Sequence, residues 1–232
     1  VATESARQRR PTPIGAHLGA ALDAPRFGRS IRRADSCGLL IRRASTSGRT
    51  LPYTRSNATG VRQAEQLAKH LAGEPFDTVY SSDLQRAYHT AEIINQHHNI
   101  PIRADERLRE IAFGKYEGLT YTDIQKRYPQ EYSVWSQDHS VTTHGGETVG
   151  QLSARVSALL VQIEDDPLAG HVLLVGHGGP LKMMICTALR LPPAKYWRFR
   201  MGNTAVSLLH MSQNSWTLEF LNDQTHLIEP AV

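Results

Sequence analysis

The run Val172-Leu-Leu-Val-Gly176, entered from His171, is the feature that most restricts how this chain can fold. A strand with one wet face alternates polar and apolar residues. An unbroken apolar run suits a strand covered on both faces, as in a parallel sheet between two helix layers. His177-Gly-Gly-Pro180 follows at once, and Pro180, tolerated in a first turn, opens a helical pattern through Leu181, Met184, Ile185 and Leu189.

The rest of the chain repeats this strand–helix alternation. Gly38-Leu-Leu-Ile41 is a second short apolar run. Val61, Ala64, Leu67, Ala68 and Leu71 recur at helical spacing after Asn57 or Thr59 as candidate N-cap. Phe76–Tyr80 reads as a strand, followed by a helical face of Leu84, Ala87, Ala91 and Ile94. Leu152, Val156, Leu159, Leu160 and Ile163 mark a third helix, and Val206–Leu209 with Trp216–Leu221 a terminal strand pair around a polar turn. Residues 132–148 read as an irregular insert over the sheet. The alternation predicts a three-layer α/β/α sandwich with a mostly parallel central sheet.

Composition excludes other classes. Two cysteines, Cys37 and Cys186, are too few for a disulfide scaffold or a cysteine-rich zinc site. No apolar run approaches the ~20 residues of a membrane span. The net charge of +4 is unevenly spread. Residues 1–56 hold eleven arginines, no lysine and three acids (Glu4, Asp23, Asp35), whereas the remainder is net acidic. The first 36 residues have few large apolar side chains to offset their ordering entropy. They are expected to form an N-terminal extension outside the fold, with the domain spanning 37–232. The extension is Arg-rich and acid-poor like a transit peptide, but it has no apolar centre of a secretory signal. A single aromatic, Phe27, stands among its arginines, too few for a stacking surface, so no nucleic-acid partner is expected, and no membrane partner either. The expected location is cytoplasmic.

Ligands of open α/β sheets sit beyond the carboxyl ends of the strands. After Ile41 come Arg42 and Arg43; after Tyr80 come Ser81, Ser82, Asp83 and Arg86; after Gly176 comes His177. Glu110 follows in Leu108-Arg109-Glu110. Each alone has an ordinary structural reading: a surface arginine, a hydrogen-bonding histidine, an exposed carboxylate. Together, arginine forks, an imidazole and a carboxyl group suit a phosphoryl group. The forks bind its oxygens bidentately, the imidazole donates to one or attacks phosphorus, and the acid protonates the leaving alkoxide.

The sequence resembles the histidine phosphatase superfamily, the phosphoglycerate mutase-like fold. The resemblance rests on Tyr80-Ser-Ser-Asp-Leu-Gln-Arg-Ala87 with Thr90-Ala-Glu92, Leu108-Arg-Glu-Ile-Ala-Phe-Gly114 with Tyr116-Glu-Gly118, Gly145-Gly-Glu-Thr148 with Arg155, Leu173-Leu-Val-Gly-His-Gly-Gly179, and Asn222-Asp-Gln-Thr-His-Leu227. It covers about residues 57–228 and implies phosphoryl transfer through a phosphohistidine, with no metal and no cofactor. It implies that Arg42 and Arg86 bind phosphate, that Glu110 is the proton donor, and that His177 is the second histidine, stabilising the transferring group. The partner implied is a small phosphorylated metabolite. Leu108–Gly114 followed by Glu117-Gly-Leu-Thr120 is more similar to the broad-specificity and α-ribazole phosphatase branches than to the glycolytic mutases. In the insert, Trp135, His139 and His144 are candidates to line the substrate side.

One motif departs from the family. Its first motif is an Arg-His-Gly triplet whose histidine is the nucleophile; here Ile41-Arg42-Arg43-Ala44-Ser-Thr46 stands in that place. Arg43 occupies the nucleophile position, and a guanidinium stays protonated, with no lone pair to accept a phosphoryl group. The stretch from Arg43 to Gly60 is also shorter than the family's loop. Covalent catalysis should therefore fail in the chain as written. Three explanations stand: a phosphate-ester-binding pseudoenzyme, an enzyme that lost its triplet by substitution, or an out-of-register translation of the first quarter. Lysine absent until Lys69, abundant arginine, an extension before the first strand and resemblance resuming near Asn57 favour the third. The plain alternative is divergence, with Leu39–Arg42 keeping strand one.

Overall fold

The computed structural model describes residues 36–43, 57–137, 145–166 and 170–228; of 36–43, 121 and 135–137 it describes the backbone alone. The extension before Ser36, Ala44–Thr46, His139, His144 and the side chain of Trp135 lie outside the described residues.

Among the described residues, six strands form one sheet in the order β3-β2-β4-β1-β5-β6. They are β1 (Ser36–Arg43), β2 (Thr78–Ser81), β3 (Ile102–Ala104), β4 (His171–Gly176), β5 (Val206–Ser212) and β6 (Ser215–Asp223). The ladders β1–β4, β4–β2 and β2–β3 are parallel, whereas β5 runs antiparallel to both β1 and β6. The β5–β6 hairpin closes through Gln213 and Asn214, both at positive φ (48° and 62°), the two-residue geometry whose twist matches the strands.

Strand β4 is central, and its residues point alternately to two cores. Leu173 and Val175 pack with Leu67 and Leu71 of α1 (Ala58–Leu71) and Ala87, Ala91 and Ile94 of α2 (Gln85–Asn95). Val172 and Leu174 pack with α5 (Val149–Glu164) and α6 (Gly178–Ala188) through Leu152, Val156, Leu159, Leu181 and Ile185. All of these side chains are 0% exposed, and each buried valine, leucine or isoleucine among them contributes about 1.5–3 kcal/mol. This is the expected three-layer α/β/α sandwich with a mostly parallel sheet. Asn57 is the N-cap of α1, its side chain accepting from the Gly60 amide at 2.8 Å.

Three local expectations are corrected. Helix α6 begins at Gly178 rather than at Pro180, with His177 as its N-cap, because the first helical amides need no intrahelical partner and glycines fit there. Strand β2 is Thr78–Ser81, shifted toward the site from the expected Phe76–Tyr80. The insert is not irregular throughout: α3 (Tyr121–Arg127) is followed by α4 (Pro129–Gln137), with Pro129 pre-set for a first turn. A clamp holds α4, since Glu131 accepts from Lys115 Nζ at 2.8 Å and from Tyr116 Oη at 2.7 Å.

Candidate active site

Three strand ends converge where β4 gives way to α6. On one side Arg42 pairs with Val175 and Arg43 with Gly176 in the β1–β4 ladder. On the other side Ser81 pairs with Val175, and the Ser82 amide donates to the Val175 carbonyl at 2.9 Å. The backbones of Arg42 and Arg43 therefore flank the approach to His177.

His177 is 1% exposed, and its extended backbone (φ −119°, ψ 170°) caps α6. Its Nε2 lies 3.1 Å from Ser82 Oγ, itself fully buried. The Leu84 amide also donates to Ser82 Oγ, at 3.3 Å, so one hydroxyl ties the second histidine to the start of α2. Arg86 follows in the first turn of α2 and is 2% exposed. Burying a guanidinium carries a desolvation cost that hydrogen bonds or a bound anion must offset.

Glu110 meets the first turn of α6, two residues beyond His177. Its Oε1 accepts from the Gly179 amide at 2.8 Å and from the Ile111 amide at 3.0 Å. Among the described residues no hydrogen bond is made to Oε2, so the proton of the acid form falls to that oxygen. Glycine at 179 leaves room for this approach: an added Cβ would stand 2.4 Å from Glu110 Oε1 and displace the carboxylate. The first turn of α6 also presents the positive end of an eleven-residue helix to the same region, as at many anion sites.

The two loops that carry these groups are joined. Arg109, next to Glu110, makes a fork to Asp83: Nη2 to Oδ2 at 2.5 Å and Nε to Oδ1 at 2.8 Å. That bond holds the Asp83 carboxyl below the usual carboxylate range, against an opposing push from partial burial. Of the expected site residues, the structure thus brings Arg86, Glu110 and His177 to one sheet edge, with the backbones of Arg42 and Arg43 beside them. Sequence reasoning placed Ser82 and Asp83 after a strand but missed their partners, because both contacts join segments far apart in the chain. The order Ser-Asp-x-x-Arg after an apolar strand is the signal that was available.

Comparison with known proteins agrees with this fold. The profile of the histidine phosphatase superfamily (branch 1) matches residues 56–224. A Hydrogenobacter thermophilus protein, phosphoserine phosphatase 1, is 31% identical over 171 residues, covering 73% of this chain and 81% of the relative. A Salmonella choleraesuis protein named as a probable phosphoglycerate mutase is 32% identical over 183 residues, covering 75% of this chain and 84% of the relative. The crystal structure of the α-ribazole phosphatase from Shigella flexneri superposes with a TM-score of 0.75 at 26% identity, covering 83% of this chain and 100% of that one. With a buried arginine, a helix-capping histidine and a carboxyl group at one parallel sheet edge, and a family match over most of its length, the chain belongs to the histidine phosphatase superfamily.

Proposed function

We propose that this chain is built as a metal-independent phosphatase of small phosphomonoesters. Arg86 and Arg42 grip the phosphate oxygens. His177 donates to them as the phosphoryl group transfers, giving up its bond to Ser82. Glu110 protonates the leaving oxygen from Oε2. The observation that supports this reading is that Arg86 and His177 are buried at neighbouring strand ends joined through Ser82, while Glu110 is held by the Gly179 amide in the first turn of α6. Arg43 holds the position of the nucleophile, so in the chain as written the phosphohistidine step is lost, at a cost of several orders of magnitude in rate.

Residues 37–232 form the domain under this proposal, and the protein is cytoplasmic. Residues 1–36 are an extension from an out-of-register first quarter. In support, the family match begins only at residue 56. The nucleotide sequence decides: an alternative frame upstream of codon 57 encodes an Arg-His-Gly triplet, or the frame idea is dead. No helix among the described residues is long and apolar enough to cross a membrane.

Hydrolysis of p-nitrophenyl phosphate by the chain and by its Arg43→His variant tests the function. Rescue by the variant supports an otherwise complete phosphatase site. Phosphate binding without turnover in both favours a second reading, a non-catalytic phosphate-ester binder, consistent with an arginine beside Gly176. No binding and no turnover in either overturns both. A third reading, mutase-type transfer, draws support from the relative named as a mutase. It predicts that an acceptor hydroxyl outcompetes water for the phosphoryl group.

A further inference from the structure

The segment that carries Glu110 has no helix or strand to hold it; the 3-10 turn Glu106–Leu108 ends before it, and Arg109–Phe113 is irregular. Backbone carbonyls in such a segment need partners from elsewhere. Two come from one place. Arg155 Nη1, on α5, donates to the Arg107 carbonyl, and the Glu147 amide donates to the Ala112 carbonyl at 2.8 Å. Arg155 and Glu147 are themselves joined by a fork, Nε to Oε1 at 2.5 Å and Nη2 to Oε2 at 2.8 Å. The result is a closed ring: Arg107 carbonyl, Arg155 guanidinium, Glu147 carboxylate, Glu147 amide, Ala112 carbonyl. Glu110 lies on the stretch of chain that this ring spans.

The ring is rooted in rigid structure. Arg155 stands between Leu152 and Val156, both 0% exposed, on α5. Glu147 precedes Thr148, which caps α5 through a reciprocal pair with Gln151. The ion pair is mostly shielded, its side chains 20% and 16% exposed, so solvent screens it less than a surface pair.

We propose that Arg155 and Glu147 are positioning residues for the proton donor: they fix Glu110 where Oε2 meets the leaving oxygen. A proton donor must stand within hydrogen-bond reach of the leaving oxygen, and a misplacement of about 1 Å costs on the order of 10²-fold in rate. Three guanidinium nitrogens serve three acceptors here, so lysine at 155 keeps the charge and loses the ring.

The proposal rests on the phosphatase reading, and its test separates the two. An alkyl phosphate needs its leaving oxygen protonated, whereas p-nitrophenolate departs as a stable anion. In the full-length Arg43→His chain, adding Glu147→Gln or Arg155→Lys lowers the ratio of alkyl to aryl phosphate hydrolysis by about 10²-fold. General damage to the fold lowers both rates together, and that result, or an unchanged ratio, overturns the proposal. The second readout needs no activity. The Ile111 and Gly179 amides are held by Glu110 Oε1, and their hydrogen exchange, followed by NMR, accelerates at least about tenfold in either variant while that of Leu174 and Ile185 does not. If the Arg43→His chain hydrolyses neither ester, the phosphatase reading falls and amide exchange alone decides. Acceleration confined to Ile111 and Gly179 then supports the positioning role. Unchanged exchange, or acceleration throughout the core, overturns it.

Discussion

Replacing Arg86 by methionine removes a buried guanidinium and leaves a side chain of similar length in its place. The consequence is read most cleanly as phosphate-dependent stability, which needs no turnover. A ligand that binds only the folded state stabilises it by RT ln(1 + [L]/Kd), about 2.7 kcal/mol at a concentration of 100 Kd. For a domain of this size each kcal/mol moves the melting midpoint by about 2–4 °C, so saturating phosphate raises it by about 5–10 °C. Arg86 is 2% exposed, and its fork can supply two charge-assisted hydrogen bonds to the anion, each contributing about 1.5–3 kcal/mol. Losing both weakens binding on the order of 10²–10⁴-fold. At the lower bound the same phosphate concentration then only matches Kd, and the stabilisation shrinks to about 0.4 kcal/mol, roughly a degree. Arg86→Lys keeps a point charge and part of the shift. The assay is differential scanning fluorimetry over a phosphate titration, each variant referred to its own phosphate-free midpoint. A wild-type-sized shift in Arg86→Met refutes the placement of phosphate at this guanidinium.

Other perturbations separate site from scaffold. Gly179→Ala drives a methyl to 2.4 Å from Glu110 Oε1, the end of a flexible side chain that can swing away. Stability falls by only about 1–3 kcal/mol while alkyl phosphate hydrolysis in the Arg43→His chain falls about 10²–10⁴-fold, as thermal melts and initial rates can check. The Asp83–Arg109 pair has its carboxyl pKa lowered in the folded state. Its contribution is therefore present above the ordinary value of 3.8 and lost as pH falls through the depressed one. Asp83→Asn flattens the acid limb of stability by under about 1 kcal/mol, since both partners are partly exposed, and an acid limb unchanged by the variant contradicts this. Burial, aided by the bond to Glu131, pushes the Tyr116 phenol up to about 12. That contribution holds below the ordinary value of 10.0 and disappears as pH rises through about 12. An ultraviolet phenolate titration finds a late-titrating tyrosine signal that is lost in Tyr116→Phe.

The layers were legible because β4 is apolar from Val172 onward and α1, α2 and α5 carry helical stripes; these patterns dictate burial directly. The strand ends were legible because polar residues that follow an apolar run must emerge at the sheet edge. The contacts that make the edge a site were not. His177 meets Ser82 across ninety-five positions, and Gly179 meets Glu110 across sixty-nine. No local period encodes such pairings. Helix α4 was missed because Pro129-Gln-Glu-Tyr-Ser-Val-Trp-Ser-Gln137 has no clear apolar stripe, and Val134 is 54% exposed. Its stability comes from tertiary anchors such as Glu131. The ring around Glu110 was half visible: Gly145–Thr148 and Arg155 stood out as a motif, but the carbonyls they serve could be found only in three dimensions.

The most direct measurement is a crystal structure of the full chain with orthovanadate, a mimic of the transferring phosphoryl group. Vanadium is expected at the end of β4, with oxygens in hydrogen-bond reach of the Arg86 guanidinium and His177 Nε2 and with Glu110 Oε2 facing the leaving side. Vanadate bound elsewhere, or excluded from this edge at saturating concentration, contradicts this placement.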